Sequence, residues 1–418
     1  MNDQTGAPVP TRIAGLDVTR GFAVMGILLM NIVAFAMPDG AYISPHTWGG
    51  DSGSDLWVWA ANFVLFDSKM RGLFSLLFGA STLLVIQSAV ASEQGAARVH
   101  YGRMIVLALF GLAHFYLIWF GDILFIYAMC GMLLFAFRNL SMRALRRWFV
   151  GFFLIGFLTS GLMMGSLLLG ASPAAPPQLR EAHQRVAADF AREGEKTQEQ
   201  LTLYRSNFST IVTKRFSQSW YAPFVNIAMF GAETLALMLL GMMLFKSGML
   251  QGQWPVERLD KWRNRCLGIG ILVNLGLLWW QLAGGLQPIT LMFSTFFASV
   301  PFDFVMSAGY AAMFMGLAQR HADHAMIARV AAVGRAAFTN YLGTSILMTA
   351  LFYGWGLGQF GLWSRTAVYA PVVGVWIIML LWSGPWLARH HYGPLEWLWR
   401  TLSRLSLQPM RKNRPGSA

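Results

Sequence analysis

Ten apolar segments dominate this sequence, at 18–37, 71–91, 103–120, 122–137, 147–170, 221–246, 266–283, 290–318, 336–356 and 366–388. A helix needs about 20 predominantly apolar residues to cross a hydrocarbon core ~30 Å thick. Backbone inside that core must satisfy its own hydrogen bonds, which leaves helices and closed barrels as the spanning forms. Segments of this length and apolar character specify an all-α fold, a polytopic membrane helix bundle of about ten transmembrane helices. Residues 55–70 form an extra apolar, Trp-containing stretch that either lies in the interface or joins the second span. Composition agrees: 56% of residues are apolar and 12% charged, against about 25% charged in soluble chains. An ordinary soluble enzyme, a disordered chain and a collagen-like chain are excluded.

The formal net charge of +13 raises nucleic acid as a partner, but the basic residues fall between apolar runs rather than on one basic domain. Membrane proteins accumulate such charge in cytoplasmic loops. Arg138, Arg143, Arg146 and Arg147 form one group, Arg258, Lys261, Arg263 and Arg265 another, and Arg411, Lys412 and Arg414 a third, whereas residues 38–54 contain no Lys or Arg. The bias predicts both termini cytoplasmic, a lipid bilayer as the principal partner and no nucleic acid. The first apolar run crosses Arg20 and lacks a small-residue cleavage site, so it reads as a retained span rather than a signal peptide. Cys130 and Cys266 match no metal-ligand spacing and leave the redox compartment open.

This pattern divides the chain into spans 1–5 over residues 1–170, a polar insert at 171–220, spans 6–10 over 221–400 and a basic tail at 401–418. The insert opens with Ser172-Pro173-Ala174-Ala175-Pro176-Pro177 and continues as a charged, helix-forming stretch. It is expected to cap the outer mouth of the bundle or to act as a substrate-gating lid. No sustained internal repeat supports an inverted-repeat transporter.

Ionisable residues within spans are costly, and are paired or functional. Asp17 and Arg20 lie three apart on one helix face, where they can pair or receive an anionic group, and Asn31 lies further along nearly the same face. Asp67, Lys69 and Arg71 crowd the start of the second span. His114 and Tyr127 each sit ~10 Å from the turn Phe120-Gly121-Asp122 at ~1.5 Å per residue, so they could face one another; Trp119 suits an interfacial belt. A buried His is either a satisfied structural residue or a general base. Arg103, eleven residues before His114, is too far to contact it but could line the same channel. Glu233 and Asp303 lack a basic partner on their own helices, so each should meet a base from another. His46, in the outer loop Pro45-His46-Thr47-Trp48-Gly49, is a second candidate base. No P-loop, His-Glu-x-x-His, Cys-x-x-Cys or strand-bound Gly-x-Ser-x-Gly is present.

These residues resemble, nearly end to end, the YeiB-like family of bacterial multi-pass membrane proteins, labelled as a domain of unknown function. The resemblance runs through Leu16-Asp17-x-x-Arg20-Gly21, Gly26 and Asn31; Lys69 with Leu73 to Gly79; His114 and Gly121-Asp122-Ile123-Leu124-x-x-Tyr127; Glu233 with Gly241; Gly334 with Asn340-Tyr341; and Gly393-Pro394-x-Glu396-Trp397-x-x-Arg400. It implies a bacterial inner-membrane location. The opening helix also looks like that of the transmembrane acyltransferases, including the enzyme that acetylates heparan glucosamine. Those enzymes move an acyl group from a cytoplasmic donor across or within the membrane. Bacterial O-acyltransferases carry a His eleven residues after the first-span Arg, where this chain has Asn31. The glucosamine-acetylating enzymes have Asn there and a His in the following outer loop, which His46 resembles with altered spacing.

The resemblance implies acyl-CoA as a co-substrate with no permanently bound cofactor. Asp17, Arg20, Lys69 and Arg103 are the candidate donor-binding residues. His46 or His114 is the candidate base, Asn31 or Tyr127 the candidate oxyanion donor, and Asp122 lies near the mouth. The acceptor would be a hydroxyl or amine of an envelope glycan, lipid or small molecule. A transporter or flippase for an amphipathic envelope component accounts for the same intramembrane charges, and a structural or signalling protein is a third reading. A homodimer is compatible with all three.

Overall fold

The computed structural model describes residues 13–91 and 95–412; Arg414 of the basic tail lies outside them. Among the described residues the elements are helices, with one isolated bridge between His390 and Arg411. The amino-terminal part comprises α1 (Ala14–Ala36), a short turn α2 (Gly40–Ile43), α3 (Gly53–Ala61), α4 (Lys69–Ala91), α5 (Ala96–Ala113), α6 (Leu124–Phe137) and α7 (Met142–Leu169). The polar insert forms α8 (Pro177–Ala191), α9 (Glu193–Tyr204) and α10 (Phe208–Gln218). The remainder comprises α11 (Ala222–Lys246), α12 (Val256–Ala283), α13 (Pro288–Phe293), α14 (Val300–Arg320), α15 (Ala325–Arg335), α16 (Ala337–Phe352), α17 (Tyr369–Arg389) and α18 (Pro394–Arg404).

Eight stretches are long and apolar enough to cross a membrane: Ala14–Ala36, Gly53–Val90, Ala96–Ile118, Met142–Leu169, Ala222–Lys246, Val256–Ala283, Val300–Arg320 and Tyr369–Arg389. The chain is therefore an integral, multi-pass membrane protein. The expected segments 122–137 and 336–356 are helical but shorter, 14 residues in α6 and 16 in α16. The expected single span 290–318 is broken: a π-turn over Ser294–Ala298 separates α13 from α14, and Pro301, which has no amide hydrogen, sits in the first turn of α14. The stretch 55–70 joins the second span rather than standing apart. A π-turn over Asn62–Phe66 leads to a break at Asp67–Ser68, where Ser68 adopts φ 61°.

Close helix packing inside a membrane favours small residues at the crossing points. Gly21 of α1 and Gly334 of α15 meet reciprocally: a Cβ at either would overlap a backbone carbonyl of the other helix, Val330 or Asp17. Gly79 of α4 and Gly241 of α11 repeat the arrangement against the carbonyls of Met238 and Leu76. These crossings bring the start of α1, the end of α4 and the start of α16 to one end of the bundle. The opposite end is covered by α8–α10, with Tyr204 of α9 packed on Tyr353 and Phe360. Along α7, Leu154, Leu158 and Leu162 remain exposed, the outward face expected of a lipid-contacting helix.

Candidate functional site

Charges in the middle of the bundle are paired one to one. Lys69 follows the break in its helix, is 1% exposed and lies 2.9 Å from Asp303 of α14. Its Nζ also donates to the Phe63 carbonyl, which the preceding π-turn presents, at 2.7 Å. Arg71 donates to Glu233 of α11 at 2.7 Å. Glu233 and Asp303 thus meet bases from another helix, as their isolation in sequence requires. Lys69 is consumed by this pair and does not reach the cavities described next.

At the end where α1 begins, cations instead surround open space. A cavity of about 270 Å3 and an adjoining mouth of about 430 Å3 share Arg20, Arg103, Arg335, Glu396 and Arg400. Asp17 and Arg404 complete the mouth. Arg20 bonds Asp17 at 3.1 Å, the i, i+3 pair expected on the first helix, and extends its other nitrogen to Ser81 at 2.8 Å. Arg103 lies over the ring of Trp399, 4.2 Å from its centroid, and accepts the indole N–H on its carbonyl at 2.9 Å. Arg400 lies over Tyr392 at 4.4 Å. Such guanidinium–aromatic stacking fixes a cation's position without neutralising it. Arg20, Arg400 and Arg404 all act on Arg103 as like charges, so an anion entering the cleft relieves mutual repulsion.

Glu396 has a different task. It accepts from the amides of Phe338 and Thr339 at 2.7 and 3.1 Å and from the Thr339 hydroxyl at 2.6 Å. It therefore caps the first turn of α16 and fastens α18 across the cleft. Burial raises its carboxyl above the ordinary range, and the bonds from Thr339 and Phe338 offset part of that rise.

Inward, the cavity becomes apolar, lined by Phe74, Phe78, Met104, Leu124, Tyr127 and Tyr341 among others. The Tyr127 hydroxyl is held by Ser75 at 2.6 Å and the Arg71 carbonyl at 3.2 Å. Beyond Tyr341 stands a buried dyad. His114 Nδ1 lies 2.9 Å from Asp122 Oδ1, and Asp122 Oδ2 caps α6 through the Phe125 amide at 2.8 Å. A carboxylate only accepts, so Nδ1 carries a proton, which in the neutral form of the ring leaves the lone pair on Nε2. Nε2 is buried without a hydrogen-bond partner among the described residues. His114 does not line the cavity; the Tyr341 ring, 5.4 Å away centroid to centroid, separates them.

The candidates from sequence are therefore sorted. Asp17, Arg20 and Arg103 line the cleft and Tyr127 its inner chamber. His114 turns to Asp122 rather than to Tyr127. Asn31 lines a separate cavity of about 10 Å3 with Tyr341, Thr344 and Ser345, roughly the room of one water molecule. His46 lies outside these cavities, 50% exposed, with its Nδ1 2.7 Å from Asp51; that bond holds the Asp51 carboxyl below its usual range. Trp119 is not an interfacial anchor but is buried and stacked on Phe35 at 3.9 Å.

Sequence reasoning missed Arg335, Trp399, Arg404 and the place of Tyr341. The available signal was the short helix Pro394–Arg404, where Glu396, Arg400 and Arg404 recur at four-residue spacing, one stripe of a helix face.

The family model "Protein of unknown function (DUF418)" matches residues 244–406, which include Arg335, Glu396, Arg400 and Arg404. The uncharacterized protein YeiB of Escherichia coli is 30% identical over 405 residues, 94% of this chain and 97% of that one. The uncharacterized protein YxaH of Bacillus subtilis is 29% identical over 96% of both chains. An uncharacterized protein from the amylase 3′ region of Bacillus acidopullulyticus is 24% identical over 94% of both. No solved structure matches the chain. With family residues and near full-length relatives in agreement, this protein belongs to the DUF418 family, as a relative of YeiB.

Proposed function

We propose that this protein is an acyltransferase of the bacterial inner membrane, with both termini cytoplasmic and acyl-CoA as its donor. The observation that carries the reading is the cleft's polarity: arginines at the mouth, an apolar chamber within, and the His114–Asp122 dyad behind it. Phosphates of the donor bind among Arg20, Arg103, Arg335, Arg400 and Arg404, and the acyl group extends toward Tyr127 and Tyr341.

The acceptor hydroxyl or amine attacks the thioester carbonyl while His114 Nε2 takes its proton, and Asp122 stabilises the resulting imidazolium. The Tyr341 or Tyr127 hydroxyl donates to the oxyanion, a contact of the kind worth about 3 kcal/mol. The tetrahedral intermediate collapses by breaking the C–S bond. CoA leaves as the thiol, its sulfur taking the proton from His114. The step requires the Tyr341 ring to turn away from its position between His114 and the chamber. His114 is preferred over His46 as base because it is buried, oriented by a carboxylate and has an Nε2 that no side chain engages among the described residues. Transport of an amphipathic envelope component is the second reading, favoured by the two interrupted helices that meet at the buried Lys69–Asp303 pair.

The test uses the detergent-purified protein with acetyl-CoA and a longer acyl-CoA. Saturable donor binding is expected, weakened about tenfold in Arg103→Ala, the loss of one charge-assisted contact. Free thiol release on adding envelope extract should fall about 10²–10⁴-fold in His114→Ala, the range of a general base. No binding at millimolar donor would overturn the reading. Vectorial movement of a labelled envelope lipid without thiol release would put transport in its place.

A further inference from the structure

The capped end contains a cation that the foregoing reading does not use. Asn207 caps α10 by accepting from the Thr210 amide at 2.9 Å, which aims the apolar face of that helix into the protein. Arg215 lies one turn after Ile211 on that buried face and is 6% exposed. Among the described residues its Nη1 reaches the carbonyls of Phe115 and Tyr116 only at 3.5 Å, and the guanidinium otherwise meets the phenol hydroxyls of Tyr204 and Tyr353. Among the described residues no carboxylate lies within 4 Å of it. Asp39, whose charge reaches Tyr204 and Tyr353, accepts on its Oδ2 from Gln200 instead. An ion left so deep without a counter-charge costs several kcal/mol.

Further buried polar groups lie in the same region. The Tyr353 hydroxyl faces Arg215, and its ring packs on Tyr204. Among the described residues Trp119 Nε1 has no hydrogen-bond partner, and its ring lies 6.3 Å from that of His114. Phe115 and Tyr116, whose carbonyls Arg215 approaches, directly follow His114 in the same π-turn. Arg215, through those carbonyls, and Trp119, through its ring contact, thus both border the turn that carries His114.

We infer that the region between α10 and the His114–Ile118 turn binds the acceptor, and that the acceptor carries a carboxylate or phosphate held by Arg215. Aromatic faces of Trp119, Tyr204 and Tyr353 pack against its body, and the anion on Arg215 directs a hydroxyl toward His114 Nε2. This inference rests on the acyl-transfer reading for its purpose, though not for its binding chemistry.

The experiment follows thermal unfolding of the full chain in detergent at constant ionic strength. Glycerol 3-phosphate and glucuronate are compared with neutral glycerol and glucose. At least one anionic probe should raise Tm saturably, by about 2 °C or more, and the neutral compounds should not; the two anionic arms separate phosphate from carboxylate. In an Arg103→Gln background, which weakens the donor cleft's own hold on anions, the rise should persist, and adding Arg215→Gln should abolish it. If Arg215→Gln does not fold, Tyr353→Phe takes its place and should weaken the apparent affinity at least about fivefold. No saturable rise with either anion, or a rise unchanged by these substitutions, overturns the inference. An Arg215-dependent rise in a protein that fails to bind acyl-CoA sinks only the donor assignment.

Discussion

The bundle handles its buried cations in two opposite ways. In its middle, Lys69 and Arg71 each face one carboxylate at 2.9 and 2.7 Å. In the cleft, five arginines among the described residues line the walls together with Asp17 and Glu396, and Glu396 is committed to backbone amides. A sealed pair has nothing left to offer a ligand and serves to lock one arrangement of the interrupted helices. Arg103, stacked on Trp399 beside open space and facing the like charges of Arg20, Arg400 and Arg404, retains charge that it can give to an anion. Whether a charge is spent within the protein, more than how deeply it lies, separates framework from site.

The comparison breaks first where the pairing is tightest. Lys69→Met strands Asp303 in the bundle and should cost about 3–5 kcal/mol, read as a fall in the unfolding midpoint in detergent. The double variant Lys69→Met with Asp303→Leu should recover much of the loss, because well-packed apolar groups often replace a buried pair without penalty. A milder single variant, or no recovery in the double, would put Lys69 in the functional machinery instead.

An intermediate effect is expected at the fastening of the cleft. Glu396→Ala removes three hydrogen bonds that hold α18 against α16 and should cost about 1.5–3 kcal/mol locally. Hydrogen exchange over 394–404 should rise before the rest of the bundle opens. Its pH dependence has a definite sign. Burial raises this carboxyl in the folded state above its ordinary value of 4.5, so protonation favours docking. Protection should be greatest below about pH 4.5 and decline as pH rises through the elevated value. Glu396→Gln should flatten that profile.

The smallest effect belongs to His46. Its bond to the exposed Asp51 stabilises the loop only above the ordinary Asp range and is lost as pH falls through the depressed value. Asp51→Asn should leave the unfolding midpoint unchanged within error and leave thiol release intact. A loss of thiol release comparable to that of His114→Ala would return His46 to the base's place.

Much of the architecture was legible residue by residue. Apolar segments long enough to span announced an all-helical membrane bundle, and carboxylates alone on their helices required bases from elsewhere. The i, i+3 spacing of Asp17 and Arg20 announced their pair. The positions that misled are those where helices stop being regular. Hydropathy averages over a window and cannot register a π-turn at Ser294–Ala298 or a left-handed Ser68, so a broken helix reads as a continuous one. Trp119 fits an interfacial belt by composition, yet the turn before α6 folds it inward onto Phe35.

The sequence by itself determined that this protein is a multi-pass helical membrane protein, because the polar backbone of an apolar segment in lipid has so few ways to satisfy its hydrogen bonds. It also identified most of the polar residues that matter, since each is costly in such a setting. Only the tertiary structure decided which of them belong together. Gly21 with Gly334 lets α1 and α15 cross at backbone contact, Gly102 of α5 lies against the Ser403 carbonyl of α18, and such packing brings Arg20, Arg103, Arg335 and Arg400 from four separate helices to one cleft. Spacing along one helix fixes which side chains share its face, but which faces meet is settled by packing between helices far apart in the chain.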